Sequence, residues 1–270
     1  MDIETIFNGA IDEAEKACGR KILFAFLQGS QNYNLSSDES DIDVKAFCLP
    51  TIEDFYKGEK HSKCYDHTFG QITIHDIRTL PEYLLKANPY YIEGLFSKCI
   101  YINTEKCPDN LVLKNTEDLF NSLFQFKKFT LCKALLGHSK DELPKMEKGT
   151  PSRHKVFNRY GYDIKAGYHA LRYIDLFFTV QRCILEESPN PFSEYMATLR
   201  NESPNQRQKL ILVKEGKVSK DEIQNEALAA IEIMDSFIKR NGQIENQPVP
   251  IIEELKNEIR VWVESHFKIV

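Results

Sequence analysis

The sequence contains no apolar run long enough to cross a bilayer. Its start, Met1-Asp2-Ile3-Glu4-Thr5, lacks the basic and apolar regions of a secretory signal. Seven cysteines are scattered along the chain with no Cys-x-x-Cys among them, which argues against structural zinc and against a disulfide framework. Most of them are expected to be small buried hydrophobes in a reducing, cytoplasmic setting. Internal repeats and low-complexity segments are missing as well. So is an excess of positive charge: a net charge of −5 argues against a general nucleic-acid coat.

What is present is ordinary in bulk and uneven in detail. With 270 residues, 42% hydrophobic and 28% charged, the chain can build one large or two ordinary domains. Between Gln125 and Arg182 stand twelve Lys/Arg against five Asp/Glu, a local +7 that leaves −12 for the rest. That basic middle suits an anionic partner, a triphosphate or RNA.

The most informative stretch runs from Ile22 to Leu49. Ile22–Leu27 is a continuous apolar run that reads as a buried strand. It ends at Gly29-Ser30, a small-residue turn whose backbone N–H groups are open to an anion. A second strand is expected from Asp41, with Val44, Ala46, Phe47 and Leu49 behind it. Residues two apart share a strand face, so Asp41 and Asp43 project together. Two adjacent carboxylates repel, and a divalent cation is their natural neutraliser; hard oxygen ligands suit Mg²⁺, or Mn²⁺ in its place. Tyr33–Ser40 is expected to form a loop or short helix over the phosphates.

The rest of the chain reads in order. Asp2–Cys18 is an amphipathic helix, with Asp2 and Gly19 as caps. Thr51-Ile-Glu-Asp54 resembles a capping box, Glu59–Gly70 a polar irregular loop, and Gln71–Ile77 a third strand. A helix follows over Thr79–Ala87. Another starts at Asn88-Pro89 and carries Glu93, Gly94, Leu95 and Phe96. Cys99–Ile102 is a short strand. From Thr116 the period is helical nearly throughout, over Thr116–Leu136, Gly161–Glu186, Gly216–Asn241 and Pro250–Phe267. Breaks fall at Ser188–Pro191 and Asn241–Pro250.

On the helix after Arg159, Lys165, His169 and Arg172 fall within about 60° of arc. Tyr162, Tyr168 and Tyr173 flank this stripe. Such a stripe suits phosphates, with the rings near enough to meet a base.

Gly29-Ser30 followed by Asp41-x-Asp43 resembles the signature of the DNA polymerase β-type nucleotidyltransferase superfamily. Tyr160-Gly-Tyr162-Asp-x-Lys165-x-x-x-His169-x-x-Arg172 and Asn88-Pro-x-x-x-Glu93-Gly-Leu-Phe96 are similar to landmarks of one branch, the predicted nucleotidyltransferases of bacterial and phage RNA-repair pathways. Leu210–Ser219 is similar to a third landmark of that branch. The resemblance covers about Ile22 to Met234. It implies an α+β fold: a nucleotidyltransferase-type mixed sheet with flanking helices over residues 1–112, then a mostly helical domain over 113–270. It implies nucleoside monophosphate transfer from a nucleoside triphosphate to an acceptor hydroxyl, an RNA 3′ end first, with pyrophosphate released. Gly29 and Ser30 would then hold the β/γ-phosphates, Asp41 and Asp43 the metal. Lys165, His169 and Arg172 would reach the nucleotide or acceptor. A third carboxylate, usual in the superfamily on the next strand, is replaced by Gln71; Asp76 is the expected catalytic substitute, with Asp66 behind it. Alternatives are an enzyme that modifies a protein or a small molecule, and a degenerate nucleotide-binding regulator or toxin-neutralising partner.

Overall fold

The computed structural model describes residues 2–36, 40–103, 112–149 and 153–267. The chain forms two compact units, residues 1–123 with 247–270, and residues 124–246.

The first unit begins with helix α1 (Ile3–Cys18). Asp2 caps it by accepting from the Thr5 N–H at 2.9 Å, and Gly19 ends it in the left-handed conformation. Strand β1 (Ile22–Gln28) follows, then β2 (Asp43–Cys48). Helix α2 (Ile52–Lys57) starts with the expected capping box: Thr51 Oγ1 accepts from the Asp54 N–H, and Asp54 accepts from the Thr51 N–H. Strands β3 (Ser62–His67) and β4 (Gly70–Asp76) form a hairpin. Helices α3 (Leu80–Leu85) and α4 (Pro89–Gly94) precede β5 (Ile100–Ile102). The five strands lie in the order β3-β4-β2-β1-β5, with β2 and β4 parallel and every other pair antiparallel.

β3 replaces part of the polar loop expected over Glu59–Gly70. It is an edge strand with no buried residue, so its sequence carries no apolar alternation to read. β2 also starts two residues later than expected, at Asp43.

The sheet's two faces differ. Ala25, Leu27, Val44, Ala46, Cys48, Ile72 and Ile74 pack with Phe7, Ala10, Ile11 and Ala14 of α1 in one apolar core. Strand alternation turns Phe24, Phe26, Phe47 and His75 to the opposite face. There the rings of Phe24, Phe26 and Phe47 lie 5.8–6.4 Å apart, and α3 and α4 add Tyr83 and Tyr91, stacked at 4.1 Å. The end of this face nearest Asp43 is polar, and that polarity is what makes it a site.

Helix α5 (Thr116–Lys148) leaves helical geometry at Lys127, and the boundary between the units falls inside it. Glu245 restarts the helix, its carboxylate accepting from the Phe129 and Thr130 N–H groups. Next come α6 (His154–Tyr160), α7 (Ile164–Leu185), α8 (Pro191–Leu199), α9 (Pro204–Lys214) and α10 (Lys220–Asn241). The last helix, α11 (Pro250–Phe267), falls in the first unit, whereas the expected division placed it with the helical domain. Its buried Ile252, Leu255, Ile259, Trp262 and Val263 form an apolar stripe. Glu258 accepts from the Val112 N–H, and Phe267 meets Phe55 edge-on at 5.6 Å.

His75 lies inside the ring cluster, with Ser62 Oγ 3.1 Å from Nδ1 and the Tyr91 hydroxyl 3.0 Å from Nε2. Burial first, then Lys45 and His61, push it from 6.5 down to about 4. The unfolded chain therefore binds a proton that the folded chain refuses, so stability is full above 6.5 and is lost as pH falls through about 4. Urea unfolding across that interval is expected to show a shallower decline for His75→Asn than for the wild type. Equal slopes would contradict this assignment.

Candidate active site on the sheet

Four of the expected residues come together at one end of the sheet. Gly29 follows β1 with φ 92°, in the region that favours glycine. Ser30 opens a short 3₁₀ turn, Ser30–Tyr33. The turn is tied down by its neighbours. The Asn32 amide donates to the Leu27 carbonyl at 2.6 Å and accepts from the Lys98 N–H at 3.1 Å. The buried Tyr33 hydroxyl donates to Glu93 at 2.5 Å. Glu93 is thus an acceptor beneath the turn. Gly94 beside it lets α4 lie on β1, because a Cβ there would come within 2.3 Å of the Phe26 ring.

Asp43 sits directly opposite Gln28 on β1, half-buried, while Asp41 is exposed just ahead of β2. A Cβ on Gly29 would stand 3.9 Å from Asp43 Oδ2, so the turn and the carboxylate are neighbours. Ile42 between the two aspartates is held by the β3–β4 hairpin. Its N–H donates to the Phe69 carbonyl at 2.9 Å, and its carbonyl lies 2.9 Å from His67 Nε2. Gly70 presses against it so closely that a Cβ would come 2.3 Å from the Ile42 oxygen. This hold, with Ile42 buried beside Val44 in the α1 core, carries strand alternation back to Ile42, and Asp41 is the next residue.

Asp76 does not join them. It pairs with Cys48, at the far end of β2 from Asp43. It is fully buried, bound to Arg78 through both carboxylate oxygens, and caps the turn that begins at Ile77. Five residues of strand separate it from the site, about 16 Å. One step beyond the Val44–Ile72 pair, the residue beside Asp43 on β4 is Gln71. Its amide donates to Asp66 of β3 at 2.9 Å.

Lys45 is the residue that the sequence reading passed over. It continues the Asp41-x-Asp43 alternation by one more step, so it lies on the same face, between Phe26 of β1 and Thr73 of β4. Burial holds its ammonium below the ordinary lysine range, with Cys64 and then Asp43 pulling the other way.

In the second unit, the Lys165, His169 and Arg172 stripe runs from surface to interior. Lys165 is exposed, His169 half-buried, and Arg172 only 1% exposed with its guanidinium 4.6 Å from the Tyr173 ring centre. Burial drives His169 well down, followed by Arg172, Lys165, Arg153 and Lys145. The flanking tyrosines do not offer faces to a base: Tyr162, Tyr168 and Tyr173 are all buried. Tyr168 and Tyr173 lie among the apolar residues of α7, and Tyr162 is buried just ahead of it. Tyr162 donates to the Val218 carbonyl at 2.6 Å, and Gly216 leaves room for the Tyr160 ring, so the landmarks Tyr160–Arg172 and Leu210–Ser219 pack together.

A family model described as RlaP, RNA repair pathway DNA polymerase beta family, matches residues 3–258. The chain belongs to that family. It is therefore a DNA polymerase β-type nucleotidyltransferase by family and fold, a mixed five-stranded sheet with flanking helices and a helical region after it. No curated protein matches. Among solved structures, a nucleotidyltransferase-like protein from Exiguobacterium sibiricum 255-15 is 12% identical, with 99% of this chain and 91% of that one covered at a TM-score of 0.31, too low to carry an argument.

In this family member the hairpin hold on Ile42 is open to a direct test. Gly70→Ala forces a Cβ against backbone, and overpacking of that kind costs about 1–3 kcal/mol. The variant is expected to melt lower and to lose nucleotide binding, whereas Gly9→Ala, with open space around its Cβ, keeps both. Unchanged nucleotide binding by Gly70→Ala would remove the hairpin from the account of the site.

Proposed function

We propose that the chain transfers a nucleoside monophosphate from a nucleoside triphosphate to an acceptor hydroxyl, an RNA 3′ end first, releasing pyrophosphate, in a reducing cytoplasm. What supports this reading is Asp43, at the start of β2 beside the Gly29-Ser30 turn, with Asp41 two residues ahead of it. Asp41 and Asp43 suit Mg²⁺ or Mn²⁺ as hard oxygen donors. Among the described residues no group of three His, Cys, Asp or Glu converges, so substrate phosphates and water would complete the shell. Such a cation, when bound, offsets charge on the phosphates and on the leaving group. The backbone at Gly29-Ser30 would orient the β/γ-phosphates beside Asp43.

RNA is favoured over a protein or small-molecule acceptor by the family's description and by the basic cluster around His169, formed by Lys145, Arg153, Lys165 and Arg172. Lys165 at the surface, with His169 and Arg172 behind it, is assigned to nucleotide or acceptor phosphates on that basis. Among the described residues no helix is long and apolar enough to cross a membrane. The second reading is a nucleotide-binding regulator without turnover, which the amide of Gln71 beside Asp43 favours.

Incorporation from α-labelled ATP, CTP, GTP and UTP with Mg²⁺ or Mn²⁺ tests the choice. Asp41→Ala/Asp43→Ala is expected to lower transfer by orders of magnitude while the melting temperature holds, because separating like charges relieves repulsion. Metal-dependent triphosphate binding without transfer to RNA, protein or small molecule would establish the regulator instead.

A further inference from the structure

At the aromatic end of the sheet, away from the Gly29-Ser30 turn, a second polar group of residues stands in line. Ser62 opens the edge strand β3 and pairs in register with His75 of β4. Its Oγ lies 3.1 Å from His75 Nδ1, and the other ring nitrogen, Nε2, lies 3.0 Å from the Tyr91 hydroxyl. His75 and Tyr91 are buried, whereas Ser62 is exposed, as are Lys63 and Cys64 after it. A surface hydroxyl, an imidazole behind it and a third group that orients the ring are the parts of an activated nucleophile.

The direction of these hydrogen bonds follows from their buried end. Burial first, then Tyr83, holds Tyr91 above the ordinary tyrosine range, and the hydrogen bond between the two rings acts in the same sense. A hydrogen bond that raises an acid is one that the acid donates. The Tyr91 oxygen is thereby left to accept from His75 Nε2. A neutral imidazole carries one N–H, so Nδ1 is the acceptor and the Ser62 hydroxyl donates to it. The ring is neutral at pH 7, because burial lowers it to about 4, and Nδ1 is open to a proton. So weak a base suits a hydroxyl that is modified once, not one that turns over.

Ser62 is out of reach of its own chain's Asp43. His75 pairs with Phe47, four residues along β2 from Asp43, and Ser62 stands one strand beyond His75. Within one sheet that is about 16 Å. Its edge position opens it to another molecule instead: β3 has no buried residue and, among the described strands, pairs with β4 alone.

We infer that Ser62 is a nucleotidylation site, labelled by a second copy of the chain, with His75 as its base and Tyr91 as the group that positions the base. This inference rests on the nucleotidyl-transfer reading and adds a protein hydroxyl to its acceptors. The Ser62 oxygen forms a bond to the α-phosphorus of a nucleoside triphosphate held by the other copy. The bond from that phosphorus to the oxygen bridging to the β-phosphorus breaks, and pyrophosphate leaves with the electron pair. The serine proton passes to His75 Nδ1 and from there to water. The product is a phosphodiester between Ser62 and a nucleoside monophosphate.

The test mixes two chains that are each silent alone. Ser62→Ala keeps the donor site and lacks the acceptor; Asp41→Ala/Asp43→Ala keeps Ser62 and lacks the donor. With α-labelled nucleoside triphosphate and Mn²⁺, label is expected on the Asp41→Ala/Asp43→Ala chain in the mixture and on neither chain alone. Peptide mass spectrometry is expected to place it on Ser62. RNA labelling by Ser62→Ala, run beside it, is expected to match the wild type.

Two further variants separate the base from a fold defect. Adding His75→Asn to the acceptor chain is expected to slow labelling about a hundredfold, the lower range of what a general base contributes. Tyr91→Phe keeps the ring that stacks on Tyr83 and removes the oxygen that fixes the His75 proton. It is expected to slow labelling too and to move the His75 nitrogen-15 shifts, which in the wild type place the proton on Nε2. A wild-type proton on Nδ1, or label at residues other than Ser62, would overturn the inference. Label on RNA with none on protein would overturn it and leave nucleotidyl transfer standing. No label on RNA or protein would overturn both.

Discussion

The grip of the β3–β4 hairpin on Ile42 is the constraint on which the site depends. Asp41 lies beyond the end of β2, where no ladder hydrogen bond from β1 orients it. Two backbone-level contacts at Ile42 and the bare Cα of Gly70 extend the strand's alternation to it instead. Without that extension the pair would be one carboxylate on a strand and one on a free end. Like charges also separate when nothing holds them, so the backbone has to do the holding. The cost of the arrangement is met by the core on the other face, where α1 covers six or more strand residues with apolar contacts.

A second hold comes from below the Gly29-Ser30 turn. Tyr33 reaches Glu93 on α4, and Asn32 ties the turn to Leu27 and Lys98. Glu93 and Gly94 are thus linked to the turn through space although some sixty residues separate them. The same logic recurs in the second unit, where Gly216 and Val218 support Tyr160 and Tyr162 ahead of α7. Asp163 completes that support: fully buried, it caps α7 and binds Arg153 at 2.9 Å. Each landmark in the sequence is a place where a backbone turn needs a partner from elsewhere in the chain.

What could be read from the sequence follows from these physical causes. The apolar run of β1, the caps at Asp2, Thr51 and Asn88, and the 3.6-residue period of α7 and α10 are local signals, and each element stands where they place it. Gly29, Ser30, Asp41 and Asp43 are a local constellation, close in sequence around one turn and the start of one strand. β3 was hidden because a polar edge strand has no period to detect. Asp76 was misplaced because only the parallel register of β2 and β4 shows that its end of β4 lies opposite Cys48, away from Asp43. The tyrosines at and just ahead of α7 read as an amphipathic edge, yet a tyrosine can be core when its hydroxyl finds a partner, as Tyr162 does at Val218. Lys45 was legible and overlooked: it follows the aspartates at the same spacing of two.

The central claim is that Asp41, Asp43 and the Gly29-Ser30 turn form one site for a divalent cation and a triphosphate together. Calorimetric titration of a non-hydrolysable triphosphate, with and without Mn²⁺, measures that coupling directly. The account requires Mn²⁺ to tighten triphosphate binding in the wild type, with the enhancement gone in Asp43→Ala. Equal enhancement in the wild type and in Asp43→Ala would place the cation elsewhere and contradict it.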